Sequence, residues 1–350
     1  MLISFSSFWT NFFPPKPAYT EKNVGNLEGK VYIVSGSNTG MGKQLARILY
    51  AKNAKVYIAA RSEERALKAM DEIKKATPDS KGSLVFMKLD LSDLRTIKAS
   101  ADFFLARESK LHVLFNNAGV MYVDTKGPQT TPQRYEMNLG VNVLGTFLFT
   151  KLLTPALIST AKSEPAGSVR VIWVSSLGTE MVGEKSIGLS HKDLDALAKR
   201  TPMDRYALSK AGNWLHAVDC ARRLHDDGVV SVPINPGNLN TELARQHPAL
   251  IQWILRRLVY PPLYGACTQL YAAMSSDIGL KDSGTWGECL RWFCSEKVHL
   301  TDTVAVVAPF GRLYPIRKDL LDATKSKEEG GNGHAAEFWD WSEEQVKLYI

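Results

Sequence analysis

Short apolar runs alternate with amphipathic stretches along most of the chain, and the spacing within each run points to its element. KVYIVSG at 30–36, bounded by Gly29 and Gly36, predicts a buried strand. Met41, Leu45, Ile48 and Leu49 then mark the inner face of a helix over 41–52. Further strands are predicted at 55–61, 83–91, 111–119, 169–176, 229–237 and 304–310. Helices fall between them at 62–76 with Ser62 as N-cap, from Ser92 as cap through about Arg107, at 134–160 and at 204–227. Nearly continuous apolar strands alternating with helices predict a doubly wound parallel α/β sheet covered on both faces. Two stretches break the rhythm, 177–203 and 238–303. Each follows the carboxyl end of a strand, where an open α/β sheet builds its ligand site.

A chain of 350 residues can bury a core that needs no disulfide or metal. With 45% hydrophobic and 23% charged residues, a mainly disordered or fibrous chain is excluded. Cys220, Cys267, Cys289 and Cys294 form no C-x-x-C pair, so no metal site is expected and reduced thiols in a cytoplasmic setting are. The net charge of +7 is concentrated early: residues 1–61 hold eight Lys and Arg against Glu21 and Glu28. Such a segment suits a polyphosphate, an anionic membrane, nucleic acid or plain solvent. No aromatic-basic stripe supports nucleic acid. The opening MLISFSSFWTNFF is apolar but breaks at Pro14-Pro15, short of the roughly 20 residues a bilayer span needs. Two readings stay open: a membrane-surface contact through Phe5, Phe8, Trp9, Phe12 and Phe13, or an arm packed on its own domain.

The first strand runs into Ser35-Gly36-Ser37-Asn38-Thr39-Gly40-Met41-Gly42 and then a helix. Glycine there allows a tight turn, close approach of a pyrophosphate, and close helix–strand packing. The helix N-terminus adds free N–H groups and a positive dipole end. Gly36, Asn38, Thr39, Gly40, Met41 and Gly42 are therefore expected to bind a dinucleotide. The second strand ends Ala59-Ala60-Arg61, without the carboxylate that would grip a ribose 2′-hydroxyl. Arg61 can pair with a 2′-phosphate, so NADPH is expected over NADH.

With these residues the chain resembles the short-chain dehydrogenase/reductase family over roughly 28–280, which implies a Rossmann fold. The glycine turn is similar to the family's T-G-x-x-x-G-x-G, with Ser35 replacing Thr. Asp90-Leu91 resembles its adenine-contacting pair, and Asn116-Asn117-Ala118-Gly119 its N-N-A-G element. Asn142 resembles its helix Asn, Ser175-Ser176 its strand-five serines, and Tyr206-Ala207-Leu208-Ser209-Lys210 its Y-x-x-x-K. Pro236-Gly237 with Thr241 resembles the loop that covers the nicotinamide. The Y-x-x-x-K spacing occurs three times, at Tyr122–Lys126, Tyr206–Lys210 and Tyr314–Lys318. Only Tyr206–Lys210 lies in a helix-compatible run, where spacing of four puts both side chains on one face.

The resemblance implies Tyr206 as acid, Ser176 as holder of the carbonyl oxygen with Ser175 its rival, Lys210 on the nicotinamide ribose, and Asn142 holding a water that links Lys210 to solvent. A phenol titrates near pH ~10, and a neighbouring Lys210 charge is expected to favour the phenolate. Asn117, Ala118, Gly119, Pro236, Gly237 and Thr241 complete the cofactor contacts so implied. The domains expected are an N-terminal arm (1–27), a Rossmann-type catalytic domain (28–320, lid region about 238–303) and a C-terminal tail or helix (321–350). Leu250, Ile251, Ile254, Leu255 and Leu258 around Arg256-Arg257 suggest an amphipathic lid. With Met181 and Leu189, they point to a bulky lipophilic carbonyl or alcohol. Residues 285–303 have no clear counterpart in the family. The start and close of the chain resemble fungal members, many of them tailoring enzymes of secondary-metabolite pathways, and the body resembles retinol-dehydrogenase-like reductases. A non-redox isomerase or dehydratase, or an NADPH-sensing binding protein, is the alternative. Pairing of subunits through 134–160 and 204–227 is expected by analogy alone.

Overall fold

The computed structural model describes residues 9, 11–122, 129–181, 197–239, 259–283, 305–315 and 317–350. Helical crossovers return the chain repeatedly to the same end of one sheet, so β1 (Val31–Ser35), β2 (Lys55–Ala60), β3 (Ser83–Lys88), β4 (Val113–Asn116), β5 (Arg170–Val174), β6 (Val230–Ile234) and β7 (Ala305–Ala308) run parallel. With β8 (Arg312–Pro315) at the far edge, the strand order is β3-β2-β1-β4-β5-β6-β7-β8. Its direction of growth reverses between β1 and β4, and the crevice at such a reversal is where a doubly wound sheet takes its ligand. The helices are α1 (Gly40–Ala51), α2 (Glu63–Ala76), α3 (Leu94–Leu105), α4 (Thr146–Ala161), α5 (Pro202–Leu224), α6 (Pro262–Met274), α7 (Lys318–Thr324) and α8 (His334–Val346).

Alternation along each strand divides the core into two layers. Val34, Val56 and Ile58 pack with Leu45 and Ile48 of α1, Met70 of α2 and Leu270 of α6. Ile33, Leu114 and Val171 pack with Phe104 of α3 and Leu148 and Leu153 of α4. The span Leu139–Ala161 is long and apolar enough to cross a membrane, but it is largely buried in this core.

The structure departs from the sequence reading in several places. The helix predicted to start at Ser92 is capped by Asp93, whose carboxylate accepts from Arg95 N at 3.1 Å, while Ser92 Oγ donates to Asp90 Oδ1 at 2.6 Å. Residues 134–136 are not helical as predicted: a Thr130–Glu136 bridge precedes a helical turn at 137–138 and a π-helical segment at Leu139–Gly145 that runs into α4. An unpredicted β8 (Arg312–Pro315) pairs antiparallel with β7. The closing segment, read as a surface tail or helix, has a buried inner face carrying Phe338 and Trp339. Half of the eight early basic residues are paired: Lys30 with Glu164, Lys43 with Glu72, Arg47 with Glu21 and Lys55 with Glu108.

Candidate active site

A cleft of about 450 Å³ opens at the reversal between β1 and β4. It is lined by Gly36, Asn38, Thr39, Gly40, Met41, Gly42, Arg61, Asp90, Leu91, Asn117, Ala118 and Gly119, all twelve named from the sequence. Gly36 has φ +66°, and a methyl group on it would lie 2.9 Å from the Ala118 α-carbon. One on Gly42 would lie 2.5 Å from Asn117 Nδ2, so turn and β4 approach too closely for side chains. Ser35 ties them together: its Oγ donates to Phe115 O (3.1 Å) and accepts from Asn117 N (3.0 Å) and Ala118 N (2.9 Å). A hydroxyl is what this hub needs, so Ser serves in place of Thr.

The cleft fits a dinucleotide. Thr39, the N-cap of α1, makes no side-chain cap bond, and nothing stands within 4 Å of a methyl group placed on Gly40. The helix N-terminus is therefore open toward the cleft. At the other end Arg61 is exposed, and Arg65, one turn later, also lines the cleft. Neither is in an ion pair among the described residues. The Asp90 carboxylate in the lining is occupied by Ser92 N at 3.0 Å as well as by its hydroxyl. The sequence reading missed Arg65; its signal was the arginine one helical turn beyond Ser62.

Beyond the nicotinamide end of this lining, α5 brings Tyr206 and Lys210 to β5. Lys210 Nζ donates to Val174 O at 2.9 Å and lies 6.0 Å from the Tyr206 ring centre. Ser176 stands beside the Tyr206 hydroxyl, close enough to lower its affinity for a proton. Ser175, its rival, is spent internally: its Oγ donates to Lys210 O at 2.8 Å and lies 2.8 Å from Thr179 Oγ1. Asn142 sits in the π-helical segment, a distortion frequent at functional sites. It clasps Val120, accepting from its N–H at 2.8 Å and donating to its carbonyl at 2.9 Å. Its second N–H donates to Ser209 Oγ at 2.9 Å. Ser209, also missed from sequence, donates in turn to Tyr206 O at 2.7 Å.

Burial pulls Lys210 down to about 8. Burial also pushes Tyr206 up from 10.0, against the lowering effect of Ser176. The expected lowering of the phenol by Lys210 does not appear: burial is the larger effect and raises Tyr206.

Pro236 and Gly237 follow β6 but do not line the cleft described. Thr241, Leu189, residues 285–303 and the Met181 side chain lie outside the described residues; of the stretch 247–264 read as a lid helix, 247–258 also lie outside them and 262–264 open α6. Tyr122 is not in a helix, and Tyr314 lies on β8 while Lys318 opens α7, which leaves Tyr206–Lys210 as the helical pair. His216 is a core residue, buried between aromatic rings. The N-terminal arm touches its own domain: Asn235 Nδ2 donates to Asn11 Oδ1 at 2.7 Å, and Tyr260 OH to Phe12 O at 3.2 Å. Trp9 and Phe13 remain exposed.

The sequence profile of the short chain dehydrogenase family matches residues 30–187. A short-chain dehydrogenase/reductase of Neocamarosporium betae is 50% identical over 346 residues, covering 99% of this chain and 94% of that one. Another, of Phomopsis amygdali, is 48% identical over 356 residues and covers 100% of both. Among solved structures, an NADPH-bound carbonyl reductase from chicken fatty liver superposes with TM-score 0.55 at 21% identity, covering 74% of this chain and 96% of that one, a likeness of fold. The chain belongs to the short-chain dehydrogenase/reductase family. It is accordingly an oxidoreductase that takes a nicotinamide cofactor and a small-molecule substrate.

Proposed function

We propose that this chain is an NADPH-dependent reductase of a carbonyl on a lipophilic small molecule, acting in the cytoplasm as a tailoring enzyme of fungal secondary metabolism. The observation that carries the reading is the convergence of Tyr206, Ser176 and Lys210 beside a cleft whose adenosine end presents Arg61 and Arg65, with Asp90 Oδ1 taken up by Ser92.

NADPH supplies the hydride. Tyr206, held as the phenol, donates its proton to the alkoxide oxygen, and Ser176 hydrogen-bonds that oxygen as charge develops. Lys210, with one ammonium hydrogen on Val174 O, would hold the nicotinamide ribose with its remaining donors. Asn142 fixes the loop that carries Gly119 and Val120. Cys220 and Cys267, buried free thiols, accord with a reducing compartment.

The test is fluorescence titration of the purified protein with NADPH and NADH, followed by a panel of lipophilic ketones and aldehydes. NADPH should bind at least about tenfold tighter, given the strength of charge-assisted pairing. At least one carbonyl should oxidise it, and Tyr206→Phe should abolish turnover while retaining NADPH affinity. Binding without oxidation of any panel member would favour the non-redox alternative, and tighter NADH would overturn the cofactor assignment.

A further inference from the structure

Helix α8 packs against the elements that carry Lys210 and Asn142, although none of its residues lines the dinucleotide cleft. The contact centres on Gly212, two residues beyond Lys210. A methyl group on Gly212 would stand 2.9 Å from Val143 Cγ2 and 3.1 Å from Phe338 Cζ. Val143 is the neighbour of Asn142 in the π-helical segment, and Phe338 is fully buried. Three elements therefore meet at one dry crossing, with the Phe338 ring setting how closely α5 can approach.

The crossing is locked by a stack. His216 of α5 lies between Phe147 of α4 and Phe338 of α8, each ring centre 4.6 Å away. Ser342 Oγ donates to Phe338 O at 2.8 Å. The 2.9 Å contact between His216 Nε2 and Ser342 Oγ must then be donated by the imidazole N–H. Trp339 meets Phe147 edge-on at 4.8 Å. At the rim, Tyr135 OH donates to Gln345 Oε1 at 2.9 Å, Arg223 pairs with Asp340 at 2.9 Å, and Lys151 pairs with Glu343.

We propose that α8 is a positioning clamp for the Tyr206–Lys210 helix, with Phe338 as its wedge at the Gly212–Val143 crossing. The seat of α5 at that crossing decides whether Ser209 reaches Asn142 and whether Lys210 stays on the Val174 carbonyl. Phe338 acts only through these residues and is a positioning residue. The inference rests on the functional reading above for its kinetic arm.

The test is Phe338→Ala in the full chain. NADPH affinity should stay within about threefold while kcat falls by about tenfold or more, since small misplacements of reacting groups cost that much. The alkaline limb of kcat should move upward as water reaches Lys210. Phe338→Leu, which keeps most of the bulk, should recover most of kcat. A folded Phe338→Ala with kcat within about twofold and an unmoved limb would overturn the clamp, leaving α8 a stability element. If Phe338→Ala does not fold, Ser342→Ala is read the same way: lowered kcat with a shifted limb supports the clamp, and unchanged kcat overturns it. If the wild-type chain reduces no carbonyl, the functional reading fails, and hydrogen exchange decides the clamp by itself. Faster exchange over 206–213 than over 40–51 in either variant supports it, and equal change in both segments overturns it.

Discussion

Gly119 and Lys210 meet where no side chain can stand between them: a methyl group on Gly119 would lie 2.9 Å from Lys210 Nζ and 3.2 Å from Asn142 Oδ1. Gly119 closes the β4 loop that lines the cleft, and Lys210 comes from α5 across the end of β5. The contact is where cofactor cleft and proton donor are joined. Gly119→Ala should displace the ammonium and lower kcat by about tenfold to a hundredfold, with a smaller loss of NADPH affinity. Steady-state kinetics beside fluorescence titration would measure the split.

Arg61 stands exposed at the end of β2 in the cleft lining. If it pairs with a 2′-phosphate as proposed, the charge-assisted bond would be worth about 1.5–3 kcal/mol. Arg61→Ala should therefore weaken NADPH by about ten- to a hundredfold and leave NADH within a few-fold. Equal losses for both cofactors would show that the guanidinium serves the adenine or the fold instead.

His216 gives the fold an acid sensitivity. Burial pulls it down to about 3 from 6.5. As pH falls from 6.5 toward 3, the unfolded chain takes up this proton and the folded one does not, so stability declines across that window and is fully present above it. The contribution is of order a few kcal/mol. His216→Phe keeps the stack without the titration. Its urea midpoint should drop less than that of the wild type between pH 7 and pH 4.

Arg170, at the start of β5, donates to four carbonyls: Gly167 O (2.9 Å), Ala272 O (2.8 Å), Ser275 O (3.0 Å) and Ile278 O (2.7 Å). Three of these belong to the last turn of α6 and the chain just beyond it, which the arginine ties to the sheet. Burial pulls its own affinity for a proton down to about 10. Arg170→Met should leave these buried acceptors unpaired and cost about 3 kcal/mol or more. Equilibrium urea unfolding would register the loss.

The sequence by itself determined whatever depends on neighbours along the chain. The glycine turn between β1 and α1, the helical spacing of Tyr206 and Lys210, and the neutral end of β2 before Arg61 are local patterns, and the structure places all of them at one end of the sheet. Which serine faces Tyr206 was decided only by tertiary packing, because adjacent residues at a strand end point to opposite sides: Ser175 is consumed by Lys210 O and Thr179, while Ser176 meets the phenol. The π-helical turn at Asn142 was hidden for a similar reason. Its apolar residues read as ordinary helix, and the clasp on Val120 comes from 22 residues away. The inner face of α8 was hidden by charge. Phe338, Trp339 and Val346 lie among acidic residues that suggest a surface, and only the bare Gly212 on a distant helix makes room for them. Local spacing therefore announced the chemistry, while long-range packing selected which groups carry it and how firmly they are held.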